Sequence, residues 1–486
     1  MMKKIFNISA ALAALTLSLG ACAPTEVDDL FNESAAERLD KALTDYKSYF
    51  TDKGGKWELL YFANTDEQGF YFVVTFHDDG SVDIAGNNKF TTGGSDADGQ
   101  KDFDVSIGYV KDTSLWEVQG DDGPSISFNS LNDAFHFFSD PGIIPPGATR
   151  ANGAGHEGDF EFNVLSREEN SCILRGKKHG LLMTMNRLPA DTDDEQWIAQ
   201  AVANQTNHFS PNVTTLYMTT PSGKRFVLSD YRVSLPGNQQ MTPDMKRFLW
   251  LFVPEGGDAV NEREHETMVV TPKGIHFYQP LEFLTEYDAS ANAVQDFYFQ
   301  PDGSLLGDDG ATTINAGDIV DYYLLSSRVW VVDRESMSES LTEAYNNTLS
   351  AMLNLTVSGR QVTKANITSL KLIYKTVSKT EGYYALEIKF SATLKGRASS
   401  NYTTCLKLDV ARVDEKTIKM SCNLAADDAF DTAPGNDFFK PLPEFATFVN
   451  LLTSGNLTLT PSSALNPVAM NIANGAGVSL DVALGK

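Results

Sequence analysis

The 486-residue sequence predicts a mainly β protein, with antiparallel barrel- or sandwich-like β domains and a few short helices. Three observations carry that expectation. Apolar and polar residues alternate over short runs, the period of a strand with one buried face. Clusters of Gly, Asp and Pro punctuate those runs, as the turns of a meander do. Helical spacing occurs at only a few places. A chain this long exceeds one hydrophobic core, so two or three domains are expected. The expected order is a signal peptide at 1–21, an acidic tether at 22–33, an N-terminal β domain preceded by a helix at 34–190, a second β region at 191–333 and a C-terminal α+β domain at 334–486.

The chain opens with Lys3 and Lys4 before an apolar run, Ile5 to Leu19, that is too short to anchor as a helix across a hydrocarbon core of ~30 Å. The run ends in Leu19-Gly20-Ala21-Cys22, which resembles the lipobox of bacterial lipoproteins. Cys22 is therefore the expected lipidation site, with acyl chains on its thiol and on the new amino terminus. Several chains together anchor stably where one does not. The alternative is an ordinary secretory signal with an incidental cysteine. Residues 23–33 are acidic and aperiodic, as a tether is. Acidic residues directly after the cysteine also resemble the signal that sends Bacteroidota lipoproteins to the outer leaflet of the outer membrane. A plain acidic linker would instead leave the protein on the periplasmic face.

Ser34 to Phe50 reads as a helix: Ser34 and Glu37 have capping-box spacing, and Leu39, Ala42, Leu43, Tyr46 and Phe50 share a face. A meander follows. Trp57, Leu59 and Tyr61, then Phe70, Phe72, Val74 and Phe76, then Val82 and Ile84 alternate around the turns Asp66-Glu67-Gln68-Gly69 and Asp78-Asp79-Gly80. Further strands are predicted at 126–128, 160–164, 173–175 and 181–185. An acidic stretch from Asp191 leads to a helix over 196–203, and strands are predicted at 215–219, 225–228, 268–270, 275–278 and 296–299. Residues 248–253 fit either a buried strand or the end of a helix begun at Thr242-Pro243. A helix from about Ser336 presents Leu341, Ala344, Tyr345, Leu349 and Met352 on one face. Leu370, Leu372 and Tyr374 alternate, and Tyr384 to Leu394 is the longest clean alternation in the chain. A helix at 443–452 stops before Gly455, and strands at 457–460 and 478–484 follow. The spacing Trp57-x-Leu59…Tyr71…Phe76 is echoed by Leu370-x-Leu372…Tyr384…Phe390. That echo either marks two related modules or is what any amphipathic meander produces.

The net charge is −25, and Lys3 and Lys4 leave with the signal, so the mature surface repels nucleic acid and anionic lipid head groups. No nucleic-acid partner is expected. No later segment is apolar for long enough to span a bilayer, so the lipid is the expected membrane attachment. Beside Cys22 stand Cys172, Cys405 and Cys422, an odd number, so at least one is free or pairs between molecules. A Cys405–Cys422 bridge would close a hairpin. Strand alternation, however, puts Leu406, Leu408 and Val410 on one face and Cys405 on the other, which favours buried thiols.

Several short pieces, in their order, carry a family resemblance. They are Gly55-Lys56-Trp57-Glu58-Leu59-Leu60-Tyr61, Gly69-Phe70-Tyr71, Phe76-His77-Asp78-Asp79-Gly80, Gly123-Pro124-Ser125-Ile126-Ser127-Phe128, Ser139-Asp140-Pro141, Gly158-Asp159-Phe160-Glu161-Phe162, Leu174-Arg175-Gly176-Lys177 and Gly274-Ile275-His276-Phe277-Tyr278-Gln279-Pro280. Over roughly residues 25–300 the chain resembles the Bacteroidota lipoprotein family of domain of unknown function 4302 (DUF4302). The resemblance implies a partner role beside outer-membrane nutrient-uptake systems and zinc metallopeptidases, and it transfers no catalytic residue.

No metal or cofactor is expected. His265 lies in the charge run Glu262-Arg263-Glu264-His265-Glu266 without the second histidine a His-Glu-x-x-His site needs, and reads as part of a solvated segment. His77, His136, His156, His179, His208 and His276 stand alone in sequence. Asp96-x-Asp98-Gly99-x-x-Asp102-x-Asp104 is either a calcium candidate or an exposed acidic loop, and its spacing is not that of an EF-hand. Gly153-x-Gly155-x-x-Gly158 lacks the strand-to-helix context of a phosphate loop, and no nucleophile elbow is present. Tyr109, Trp116, Phe135, Phe137 and Phe138 form either a stacking platform for sugar or peptide, or core. Asp431-Thr432-Ala433 resembles a short O-glycosylation sequon. The expected function is that of a non-catalytic outer-membrane lipoprotein, an accessory or binding component of a nutrient-uptake complex with a protein partner and a glycan or peptide ligand. A hydrolase built from dispersed carboxylates is the alternative.

Overall fold

The computed structural model describes residues 34–87, 109–120, 123–141, 155–209, 215–230, 248–261, 265–379 and 381–485. Cys22, the calcium candidate at 96–104, Gly153 and the Thr242-Pro243 helix start lie outside the described residues.

Helix α1 (Ala35–Thr51) begins with the expected capping box: the Glu37 amide donates to Ser34 Oγ at 3.2 Å, and the Ser34 amide donates to Glu37 Oε2 at 2.8 Å. It leads into the first of three closed antiparallel rings. The first ring contains β1 (Lys56–Tyr61), β2 (Phe70–Phe76), β3 (Ser81–Gly86), β4 (Val110–Gly120), β5 (Pro124–Phe128), β6 (Glu161–Arg167), β7 (Ser171–Gly176) and β8 (Leu182–Arg187). It closes where β1 pairs with β8, Trp57 opposite Arg187.

Helix α2 (Asp194–His208) leads to the second ring: β9 (Leu216–Thr219), β10 (Arg225–Asp230), β11 (Leu249–Pro254), β12 (Glu266–Val270), β13 (Gly274–Phe277), the short α3 (Phe283–Tyr287), β14 (Asp296–Phe299), β15 (Leu305–Gly307) and β16 (Thr313–Asn315). The ambiguous apolar run at 248–253 is thus strand β11. The ring closes where β16 pairs with β9.

After α4 (Ile319–Tyr323) come β17 (Val329–Asp333), α5 (Glu339–Met352), β18 (Thr356–Val357), β19 (Arg360–Thr376), β20 (Gly382–Leu394), β21 (Ser400–Arg412), β22 (Thr417–Ser421), α6 (Pro443–Leu452), β23 (Asn456–Pro461), β24 (Ala469–Ala473) and β25 (Ser479–Leu484). Strand β17 pairs with both β25 and β19 and closes the third ring, with β18 attached to β19. Val329–Asp333, expected at the end of the second region, therefore belongs to the third ring.

These are barrels, and the sandwich alternative is not realised. Eight strands leave an interior just wide enough for side chains. In the first ring, Trp57, Leu59, Phe72, Val74, Ile84, Phe128, Phe162 and Met185 fill it and are all buried. Helices α5 and α6 cover the third ring with Leu341, Met352, Phe445, Phe448 and Leu452.

The rings repeat one device. Trp57 Nε1 donates to the Phe50 carbonyl at 2.9 Å, and Trp330 Nε1 donates to the Tyr323 carbonyl at 3.1 Å, in each case to a residue 7 positions back. Phe209 and Leu216 stand at the same spacing at the entrance to the second ring, and both are buried. In the first and third rings the aromatic residue at the helix end packs on the tryptophan, Phe50 on Trp57 with centroids 5.7 Å apart and Tyr323 on Trp330 at 5.4 Å. The equivalent of Trp57 is accordingly Trp330, whereas Leu370, its match by sequence spacing, lies in β19. One turn type also recurs, at non-equivalent places, between β2 and β3 and between β14 and β15. Gly80 donates to the His77 carbonyl and the Ser81 amide to Asp79 Oδ1, while Gly303 donates to the Gln300 carbonyl and the Ser304 amide to Asp302 Oδ1. Gly80 (φ 87°) and Gly303 (φ 79°) take the left-handed conformation these turns require.

The three thiols are free, and burial pushes Cys172 up to about 12 and Cys405 and Cys422 to about 11. Asp288, just after α3, is held well below the usual carboxylate range, first by the Ser222 hydroxyl at 2.6 Å and further by the Ser290 hydroxyl and amide at 2.7 and 3.0 Å. A carboxylate depressed in the folded state stabilises fully above its unfolded pKa of ~3.9, and that contribution is lost as pH falls toward the folded value. Urea midpoints of the protein should therefore drop as pH is lowered below ~4, and Asp288→Asn should flatten that acid limb. Identical acid limbs for the two proteins would refute the assignment.

Candidate functional site

The aromatic stretch weighed as a platform is core for the most part. Trp116, Phe135 and Phe138 are buried, with ring centroids 4.5 Å from Phe76 for Trp116 and 5.0 Å from both Tyr61 and Phe128 for Phe135. The short turn His136–Ser139 folds this segment back onto the first ring's core, with Phe137 half-buried against it. Tyr109 is half-buried against a cluster containing Ile198 and Ala201 of α2.

Several histidines that stand alone in sequence have side-chain partners in the fold. His77 Nε2 lies 3.3 Å from Asp83, His208 Nδ1 2.9 Å from Ser463 Oγ and His276 Nδ1 2.8 Å from Asp296. His265 itself is not solvated. It is buried, and its Nε2 donates to the Thr65 carbonyl at 2.8 Å, joining the second ring to the first. Among the described residues, no group of three or more His, Cys, Asp or Glu is placed to hold a metal ion.

Two arrangements stand out. The first is a buried polar network between the first two rings. Glu67 accepts from Asn64 Nδ2 and lies 2.7 Å from His156 Nδ1, while His156 Nε2 and Gln68 Nε2 are buried without partners. Thr267 Oγ1 donates to the Glu67 carbonyl at 2.5 Å and the Gly69 amide to the Met268 carbonyl at 2.9 Å, so this loop couples the rings. Among the described residues no serine or cysteine is bonded to His156, and the network ties the two rings together at this junction.

The second is a cleft of about 1000 Å³ between the second and third rings, against about 500 Å³ for a groove beside α1. One wall is the outer face of the second ring, where Thr219 stands opposite Arg225 on β10 and Thr313 on β16, with Asn315 beyond. The other wall is Thr458 and Thr460 of β23 with the turn residues Glu415 and Lys416. Tyr322 of α4 also lines the cleft, and its hydroxyl is buried without a partner. Three of the cleft's charged groups are already engaged. Arg225 lies 4.0 Å over the Tyr217 ring and 3.1 Å from Glu255; Asp318 pairs with Arg412; Asp302 accepts from Ser304. The loop after β23 fixes the spacing of the walls. Leu465 inserts fully into the second ring's core, and the Ala464 amide donates to the Asp302 carbonyl at 2.8 Å.

None of these cleft residues belongs to a motif. Those on its strand walls are ordinary Thr and Asn, and only the fold brings them together with the helix and turn residues.

The family model described as Domain of unknown function (DUF4302) matches residues 27–292, which cover the first ring and most of the second. No curated protein matches the sequence. Two solved structures align: the beta subunit from DNA polymerase of Streptococcus pyogenes, at 10% identity over 92% of this chain and 97% of that one, and the DNA polymerase III beta chain of Streptococcus pneumoniae TIGR4, at 9% identity over 88% and 91%. The TM-score is 0.12 in both cases, and neither alignment carries an argument about fold or function.

Proposed function

The chain belongs to the DUF4302 family, and from that premise we propose that it is a lipoprotein of the Bacteroidota, anchored through Cys22 to the outer membrane, that binds a glycan or peptide as a non-catalytic component of a nutrient-uptake complex. The observation that carries the binding reading is the cleft between the second and third rings. Barrels that fill their interiors with side chains leave the spaces between them as the place for a ligand. A cleft walled by hydroxyls and amides, with most of its charges already engaged, suits recognition better than proton transfer, which needs a positioned acid or base. The basic start, the apolar run and Leu19-Gly20-Ala21-Cys22 support the anchor.

Two measurements test the reading. Cys22→Ala should leave the folded body intact but move the protein from the membrane fraction to the soluble one. Retention in the membrane fraction would overturn the anchor. Purified residues 23–486 should gain thermal stability with a glycan or peptide and release no product from it. Turnover abolished by a single carboxylate substitution would replace the binding reading with a hydrolase.

A further inference from the structure

We propose that the cleft between the second and third rings takes a neutral oligosaccharide, an inference that rests on the binding reading above and narrows its ligand. Three observations carry it.

An extended peptide is commonly bound by adding a strand to a free sheet edge, where backbone groups supply the hydrogen bonds. Strands β9, β10, β16 and β23 each pair on both sides within closed rings and offer no edge. What these paired strands present to the cleft is side chains, with loop residues such as Ala316, Gly317 and Ala464 completing the lining. Thr219, Thr313 and Asn315 stand on one wall and Thr458 and Thr460 on the other, each able both to donate and to accept. That pattern matches a ligand covered in hydroxyl groups.

The charges point to a neutral ligand. Arg225 is paired with Glu255 and Asp318 with Arg412, and Lys416 lies within electrostatic reach of Asp302, which leaves Glu415. Among the described residues an acidic ligand would find no free cation there, and a basic one a single carboxylate.

The Tyr322 hydroxyl is the third observation. The side chain is only 7% exposed, its ring stacks under the Arg328 guanidinium at 4.4 Å, and its hydroxyl has no hydrogen-bond partner. A buried hydroxyl left unpaired is costly, and because Tyr322 lines the cleft, a ligand hydroxyl that displaces the groups covering it would satisfy it.

The test is an array of neutral hexasaccharides (α- and β-glucans, mannan, galactan), galacturonate hexasaccharides and immobilised decapeptides, probed with residues 23–486. The native protein should retain at least one neutral hexasaccharide. Thr458→Arg, on an exposed position of β23, should abolish that retention, and Tyr322→Phe should weaken it by about tenfold or less, the worth of one hydrogen bond. Thr458→Arg should melt at the native temperature and Tyr322→Phe at or above it, since the latter removes an unpaired buried hydroxyl.

Binding of decapeptides or galacturonates instead, lost in Thr458→Arg, would overturn the ligand class and leave the binding function standing. Neutral hexasaccharides held equally by native protein and Thr458→Arg would overturn the site. Failure to retain any neutral hexasaccharide would overturn the inference outright, while the membrane anchor is judged separately by Cys22→Ala.

Discussion

Substituting Trp57 by alanine is expected to destabilise the first ring by about 3–5 kcal/mol, the range for truncating a large buried aromatic. Three terms add at this side chain. Its exposure is 0%, so the whole indole is removed from the core. Its Nε1 donates to the Phe50 carbonyl, so the last turn of α1 loses a tie to the ring. The Arg187 guanidinium lies 4.0 Å over its ring at the β1–β8 seam, where the barrel closes. Loss of protection should therefore be greatest in α1, β1 and β8 when measured by hydrogen–deuterium exchange.

Trp330→Ala should do the same to α4, β17 and β25, because the Tyr323 tie is equivalent. Leu216→Ala should cost less than either, since leucine has no N–H to lose. Equal exchange in native and Trp57→Ala first rings would show that the repeated helix-to-strand tie is incidental.

The strands were legible where apolar residues recur at alternate positions, whether one face stays partly exposed, as in β20, or both faces are largely buried, as in β2. Tyr384–Leu394, Trp57–Tyr61 and Phe70–Phe76 alternate, and the structure places them in β20, β1 and β2. Strand β4 was not legible: only Ser114 and Trp116 of Val110–Gly120 are buried, and polar Asp112 and Ser114 on the inward phase, with Leu115 exposed on the outward one, mask the period. Ring closure had no local signal at all. The β1–β8 seam joins Trp57 to Arg187, and the same composition would serve an open sheet or a sandwich.

The candidate site was less legible still, for a physical reason. A cleft between two barrels is made by the outward residues of several strands, and Thr219, Thr313 and Thr458 read one at a time as ordinary solvent-facing strand positions. The aromatic residues that looked like a binding platform by loop context are instead drawn into the core by the turn at His136–Ser139. His156 looked isolated because its partner, Glu67, is 89 residues away.

That pair yields the second large expected effect. Glu67→Ala should cost about 3 kcal/mol or more, because it strips the partner from His156 Nδ1 in a site where Nε2 is already unpaired and the side chain is 0% exposed. Phe70, Phe137 and Phe138 surround the imidazole and offer no replacement acceptor. The loss should not stay local. The Glu67 carbonyl receives the Thr267 hydroxyl, and the neighbouring Gly69 amide reaches Met268, so a loosened loop should also raise exchange in β12 of the second ring. Glu67→Gln keeps an acceptor for Nδ1 and should recover much of the loss.

The double variant Glu67→Leu/His156→Phe separates a latch from a chemical role. Replacing both partners with apolar groups of similar size can restore stability while removing every proton-transfer group. A double variant that is stable and still binds its ligand would confirm a purely structural pair. A double variant that is stable but has lost function would move the functional site from the cleft to the junction of the first two rings, within residues 27–292 where the family match lies.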